Sequence, residues 1–366
     1  MIKTFKYRLV PTRKQGAALQ QTLDLCRNLY NCALEQRRMQ HVGQFAQMRE
    51  LTEVRAEFAE YRDVYVHVLQ NTLKKLNRAF DGFFRRCKAG QKPGFPRFKG
   101  RDRFDSFAFN NTGFKLAGCY LQISKIGAVK LRLSRPIPKG AVLKSLTVKR
   151  SGSSWYACFA AECPSQPLPQ SDAVIALDMG IENFAALSNG TFIPNPRIYE
   201  QEEARLRRAQ RRVARRKKGS HRRRKAVARL RKIHERIANR RADFLHKEST
   251  KLVRKYGTIG IENLNVRGLA QGILAKQVQD ASWARFIQLL AYKAADAGRR
   301  LVEVDCGNTS QTCPGCGAIR KKSLSEREHR CECGCTMHRD TAAAKIILGR
   351  IDPSGVNERE PILCVA

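Results

Sequence analysis

Between residues 313 and 335 the chain places five cysteines, first as "TCPGCG" and then, fifteen residues after Cys316, as "RCECGC". No other feature limits the fold as sharply, because two thiol-bearing turns that converge on one cation fix where two separate pieces of backbone must meet. Cys313 and Cys316 form a C-x-x-C-G turn, in which glycine relieves the backbone as both thiolates point inward. The second turn is irregular, with thiols at Cys331, Cys333 and Cys335. Cys333 precedes Gly334 as Cys316 precedes Gly317, which assigns Cys313, Cys316, Cys331 and Cys333 to a tetrahedral zinc site and leaves Cys335 as the alternative fourth ligand. Four thiolates leave no open position, so the expected zinc is structural. Thirteen cysteines, clustered late in a chain of 366 residues, argue for reduced thiols and a metal rather than a disulfide framework.

The charge sets the partner. Seventy Lys and Arg oppose 32 Asp and Glu, a formal +38 that would repel itself without a polyanion. No apolar run approaches the roughly 18 residues of a spanning helix, and no signal-peptide core follows "MIKTFKYR", so nucleic acid is expected as partner, a membrane is not, and the expected compartment is cytoplasmic. The length allows two or three domains.

The first segment alternates Phe5, Tyr7 and Leu9 with Lys6 and Arg8, the pattern of a half-buried strand with a basic face, and Pro11 stops it. From Thr12, a fitting N-cap, Leu19, Leu23, Cys26, Tyr30 and Leu34 recur at helical spacing. A second helix is expected from about Val64 to Arg86 through Leu69, Leu73, Leu76, Phe80 and Phe83. In "KPGFPRFKG", prolines forbid a helix while aromatic and basic residues interleave, which makes Arg97 and Lys99 candidate nucleic-acid contacts. Residues 106–163 read as short strands separated by turns, so a small β-barrel interrupted by a helical domain is expected.

"PSQPLPQSD", residues 164–172, is the clearest boundary. After it, "AVIALDMGIENFAALSNGTFIP" reads as a three-stranded meander whose first strand ends in Asp178. Residues 201–250 carry twenty Lys and Arg, with Gly219 placed to end one helix and Ser220 to cap the next. In this basic hairpin, Arg211, Arg212, Arg215, Arg216, Lys217, Lys218, Arg222, Arg223 and Lys225 are the candidate nucleic-acid contacts, on polyelectrolyte grounds. A strand "TIGIENL", a helix from about Ser282 to Arg299, a strand "LVEVDC" and a helix after Asp340 complete an α/β pattern with a mixed sheet.

Three acids stand at element ends: Asp178, Glu262 and Asp340. Each alone reads as a turn acid, a surface charge or a helix cap. Together, acids at the ends of adjacent strands and at a helix start can converge on one cleft. There Mg²⁺ or Mn²⁺ would offset their repulsion and support phosphodiester chemistry of the RNase H type.

The segments "TFKYRLVPTRKQ", "GFPRFKGRDRFDSF", "ALDMGIENFAALSNG", "IGIENLNVRGL", "TSQTCPGCG" and "HRDTAAAKIIL", with the arginine-rich run between the third and fourth, resemble in order the signature segments of the TnpB family. These are transposon-associated RNA-guided DNA endonucleases, related to the type V CRISPR effectors. The resemblance implies an α/β multidomain fold: a wedge-type β-barrel (1–12 and 89–165) interrupted by a helical recognition lobe (13–88), and a RuvC-like, RNase H-like nuclease domain (172–305 and 338–350). A zinc ribbon (306–337) interrupts the nuclease domain and a C-terminal tail (351–366) follows. It implies a guide RNA and double-stranded target DNA as partners, Asp178, Glu262 and Asp340 as catalytic acids holding Mg²⁺ or Mn²⁺, and nucleoid association when bound to DNA. A short adjacent motif would be read by the protein, with Gln70 and Asn71 as candidate readers. The chain departs from the family pattern in its shortened second cysteine turn and in His338, where many relatives have an acid. A nuclease-dead guided regulator, a strand-transfer transposase and a passive basic RNA-binding protein are the competing readings.

Overall fold

Phe5, Tyr7 and Leu9 are all buried along β1 (Ile2–Val10), while Lys6 and Arg8 are exposed. Thr12 caps α1 (Arg13–Gln40) in a capping box: its hydroxyl accepts from the Gln15 amide at 3.3 Å, and the Gln15 side chain accepts from the Thr12 amide at 3.0 Å. The structure is a computed structural model that describes residues 1–351 except 102, 153, 166 and 324–325, together with the backbone alone of Arg267. The C-terminal tail expected at 351–366 therefore lies, beyond Ile351, outside the described residues.

The chain divides into two units, Met1–Pro164 and Ser165 onward. In the first, α1 is followed by α2 (Gln44–Glu57) and α3 (Val66–Lys88). The strands β2 (Ser106–Phe109), β3 (Phe114–Ala117), β4 (Tyr120–Ile123), β5 (Gly127–Arg132), β6 (Val142–Ser151) and β7 (Ser154–Glu162) then join β1 in an antiparallel sheet of order β2-β6-β7-β1-β5-β4-β3. The closed barrel expected from sequence is thus an open half-barrel, in which β2 and β3 are unpaired edges among the described residues. Helix α3 covers the free edge of β2. Asn71 donates to the Ala108 carbonyl at 2.9 Å, and Tyr65 stacks on Phe109 at 6.0 Å. A covered edge needs no strand partner. Helices and sheet share one hydrophobic core running from Leu19 and Leu73 to Phe159.

The second unit is built on β8 (Val174–Met179), β9 (Asn183–Leu187) and β10 (Phe192–Pro194), an antiparallel meander. Strand β8 ends one residue beyond Asp178. Next come α4 (Ile198–Ala214) and α5 (His221–Lys255), then β11 (Thr258–Glu262), α6 (Val266–Leu269), α7 (Ala275–Ala281), α8 (Trp283–Ala297) and β12 (Arg300–Val304). Both β11 and β12 run parallel to β8, giving the order β10-β9-β8-β11-β12. The short hairpin β13 (Glu328–Arg330) and β14 (Thr336–His338) leads into α9 (Arg339–Gly349). Helix α4 stops at Ala214, before Gly219, whose positive φ of 82° instead shapes the turn into the Ser220 cap of α5.

Side-chain parity divides this sheet into two faces. Ile175, Leu177, Ile259 and Ile261 pack with residues of α5 and α8, whereas Ala176 and Val304 pack with Ile347 of α9. Successive strand residues alternate faces, so Asp178 and Glu262 share the α9 face with Ala176 and Gly260. Gly260 leaves room there for the Ile351 side chain: a Cβ would fall 2.5 Å from Ile351 Cδ1, which would have to move aside. Among the described residues, no helix is long and apolar enough to cross a membrane.

Candidate active site

The last paired residues of β8 and β11 are Leu177 and Ile261, so Asp178 and Glu262 follow side by side where the two strands end. Asp340 approaches from the first turn of α9, a helix whose Ala342, Ala343 and Ala344 are all buried and let it lie close to the sheet. The helix starts one residue earlier than expected. His338 is the cap, its Nδ1 accepting from the Asp340 amide at 3.3 Å, so Asp340 is not the cap and its carboxylate is not spent on the helix end.

Electrostatics tie the three acids together. Burial first, then the carboxylates of Glu262 and Asp340, push the Asp178 carboxyl well above the usual range, against the opposing pull of the Arg339 guanidinium. Glu262 is 6 % exposed, and its carboxyl is raised by burial and by Asp305. The Thr309 hydroxyl, which donates to Glu262 Oε1, and the Arg350 guanidinium oppose that rise. Among the described residues, the three carboxylates do not gather to within 4.8 Å of one another as the cysteines do. Their fields overlap all the same, and a divalent cation between them would relieve the repulsion that Asp178 records. The donor set, all hard oxygen, suits Mg²⁺ or Mn²⁺.

Thr309, Arg339 and Arg350 were not singled out from sequence. Thr309 and Arg339 do lie inside the motif segments "TSQTCPGCG" and "HRDTAAAKIIL", beside the residues that drew notice. Arg350 holds the crossover after β12 by donating to the Asp305 and Gly307 carbonyls, each at 2.7 Å.

The sulfurs of Cys313, Cys316, Cys331 and Cys333 lie within 4.8 Å of one another. Cys313 and Cys333 are 3.6 Å apart and Cys316 and Cys331 3.5 Å apart, near the roughly 3.8 Å between thiolates sharing a zinc at about 2.3 Å. These four residues fit a structural zinc. Cys335 stands outside the quartet and groups instead with Cys313 and His329.

The basic hairpin of α4 and α5 encloses a groove of about 1160 Å³. Arg211, Arg212, Arg215 and Arg216 line it, as do Arg208 and Lys232, which sequence reading passed over. Lys217, Lys218, Arg222, Arg223 and Lys225 are not part of its lining. Arg223 is engaged locally, donating to the Val213 carbonyl in the last turn of α4 at 2.8 Å and to the Arg216 carbonyl just beyond it at 3.1 Å. Arg97 is exposed, while the Lys99 backbone is held to α1 by both groups of the Asn31 amide, at 2.8 and 3.1 Å. Asn71 is committed to Ala108, and Gln70 beside it on α3 is partly exposed.

Comparison with known proteins bears on all of these elements. A family model described as "Probable transposase" matches residues 156–272, and one described as "Cas12f1-like, TNB domain" matches 283–347. A third, described as "Helix-turn-helix domain", matches 1–42, where this structure has a strand and one long helix. A Streptomyces pristinaespiralis protein named "Putative RNA-guided DNA endonuclease" is 37% identical over 94% of this chain and 88% of its own length. The chain belongs to the TnpB family. Another member, the Escherichia coli K12 protein named "Putative RNA-guided DNA endonuclease InsQ", is 29% identical over 95% of this chain and 92% of its own. The TnpB chain also shares its fold with Cas12f1 from a cryo-EM structure of a Cas12f1-sgRNA-target DNA complex. The TM-score is 0.59 at 13% identity, covering 94% of this chain and 84% of that one.

Proposed function

We propose that this chain is an RNA-guided DNA endonuclease whose catalytic acids are Asp178, Glu262 and Asp340, in a RuvC-like domain of the RNase H type. The observation that carries the reading is the placement of Asp178 and Glu262 side by side at the ends of β8 and β11 on the face that α9 covers, where burial first, then Glu262 and Asp340, hold the Asp178 carboxyl high. An arrangement of acids that repel one another is stable in its charged form only with a cation present. The mixed sheet, with an antiparallel meander continued by two parallel strands, supports the RNase H-type assignment. The family membership supports the substrate.

On this reading, Asp178, Glu262 and Asp340 would hold Mg²⁺ or Mn²⁺. When bound there, such ions activate water and stabilise the leaving oxygen of a phosphodiester. The chain's own residues supply the rest. Thr309 fixes the Glu262 carboxylate through one oxygen and leaves the other free, and Arg339 balances the negative field at Asp178. The groove between α4 and α5 would grip nucleic-acid backbone without regard to sequence, while base pairing with the guide selects the target. A wedge-type domain (1–12 and 89–165) around a recognition lobe (13–88) would read the adjacent motif, with Gln70 the better candidate because Asn71 is engaged. The ribbon at 306–337 would be held by zinc on Cys313, Cys316, Cys331 and Cys333.

The description "Probable transposase" favours one second reading, strand transfer with the same acids. The test is to sequence the RNA that co-purifies with the protein and then supply a DNA duplex matching its guide segment, with Mg²⁺ or with EDTA. The expected result is one defined RNA and Mg²⁺-dependent breaks with free ends. Joined ends would favour strand transfer, and binding without cleavage would mark a nuclease-dead regulator.

A further inference from the structure

His329 sits on β13, two residues before Cys331, with 1 % of its surface exposed. Its Nε2 is buried without a hydrogen-bond partner among the described residues. The imidazole nonetheless lies within 4.8 Å of the sulfurs of Cys313 and Cys335. A buried, unpaired ring nitrogen beside two thiols is an unfavourable arrangement unless something there completes it.

The other ring nitrogen decides what that is. Lys322 Nζ contacts His329 Nδ1 and also donates to the Ser310 carbonyl at 3.2 Å. An ammonium can only donate, so Nδ1 must accept, and a neutral imidazole that accepts at Nδ1 carries its hydrogen on Nε2. A protonated Nε2 has no lone pair for a metal. It is a donor, on a ring that lies beside the sulfurs of Cys313 and Cys335.

Burial shows which sulfur needs it. Of the four thiols in the quartet, Cys316 and Cys333 are exposed and Cys331 is half-buried, so water can reach their charge; Cys313 is 1 % exposed. The backbone supplies two donors to its sulfur, the Cys316 amide and the Gly315 amide, the latter at 3.4 Å. Water cannot reach that thiolate to add to these amides, so a side-chain donor beside it stabilises its charge further.

We infer that His329 is an outer-sphere partner of the ribbon's zinc: its Nε2–H donates to the Cys313 thiolate, and Lys322 fixes the tautomer that makes this possible. His329 is then a positioning residue and not a zinc ligand, and Cys335 is not a ligand either. The inference concerns the ribbon alone and does not depend on the nuclease reading. Substituting such partners elsewhere weakens metal binding by about 10–100-fold.

The test uses the full-length protein and zinc itself, in competition with a chromophoric chelator. His329→Phe, which cannot donate, is expected to weaken zinc binding by roughly 10–100-fold while one zinc per chain is retained. His329→Gln, whose amide can donate, should recover part of the loss, and Cys335→Ala should bind zinc as the unsubstituted protein does. Cobalt substitution of the unsubstituted protein should give a four-thiolate spectrum. Wild-type affinity in His329→Phe would overturn the inference, as would a three-thiolate cobalt spectrum that Cys333→Ala leaves unchanged. Because His329→Phe could misfold, ¹⁵N shifts of the imidazoles in the unsubstituted zinc form provide an independent check. They should report His329 with Nε2 protonated and Nδ1 bare; a metal-bound Nε2 would contradict it.

Discussion

At the scale of single residues, the site is set by where unlike demands meet. Asp178 must be charged to hold a cation, yet burial and two neighbouring acids oppose its charge. A carboxyl raised on folding binds more protons in the native than in the unfolded state between the two pKa values. Stability in the absence of metal therefore falls as pH rises from near 4 through the raised value. Asp178→Asn removes that penalty. In metal-free protein near pH 8 it is expected to raise Tm by roughly 2–4 °C, the response of a domain this size to about 1 kcal/mol. It should also abolish the further rise that Mg²⁺ gives the unsubstituted protein. Calorimetry with and without Mg²⁺ checks both, and an unchanged Mg²⁺ response in Asp178→Asn would remove Asp178 from the metal site. Thr309 acts one step back, through Glu262. Thr309→Val should raise the Mg²⁺ concentration for half-maximal cleavage by about 10-fold or more, with DNA binding unchanged, and Thr309→Ser should restore it. A fall in rate with the same Mg²⁺ requirement would assign Thr309 a merely structural part.

At the scale of elements, legibility followed the strength of local pattern. The alternation in β1 and the Thr12 capping box were visible, because each is written within a few adjacent residues. Helix α2 was not: only Gln47 and Leu51 are buried along it, so no apolar stripe marks it. The halt of α4 at Ala214 was also hidden, since a dense run of like charge, and no glycine, precedes the turn. The half-barrel read as a barrel because covering the edge of β2 falls to Asn71 and Tyr65, residues more than thirty positions away. The placement of the three acids at element ends was legible for the opposite reason. Strand parity is local, and it puts Asp178 and Glu262 on the face that α9 covers. Thr309 was not, because a lone threonine carries no signal of the carboxylate it will meet. The hairpin of α4 and α5 yields its own prediction. Replacing Arg211, Arg212, Arg215 and Arg216 together by Gln should lower the slope of log affinity for RNA against log salt by roughly 3. Loss of affinity with an unchanged slope would mean the groove does not contact phosphate.

At the scale of the molecule, a formal charge of +38 repels itself unless a polyanion neutralises it, and the proposed function supplies nucleic acid in that part. Chain and polyanion together are expected to be more stable than the chain alone, and added RNA should raise Tm most at low salt, where self-repulsion is least screened. The boundary between the two units falls within the proline-rich stretch that follows Cys163, and each unit has a core of its own. The second unit carries all three acids and all four quartet cysteines, so the candidate centre and the candidate zinc ligands belong to one unit. The central claim is that Asp178, Glu262 and Asp340 form a metal-dependent nuclease centre. The most direct test is the single-turnover cleavage rate of a guide-matched duplex at saturating Mg²⁺ by Asp178→Ala, with bound DNA measured in the same samples. The account predicts unimpaired binding and a rate lower by at least about 10³-fold; cleavage at the rate of the unsubstituted protein would contradict it.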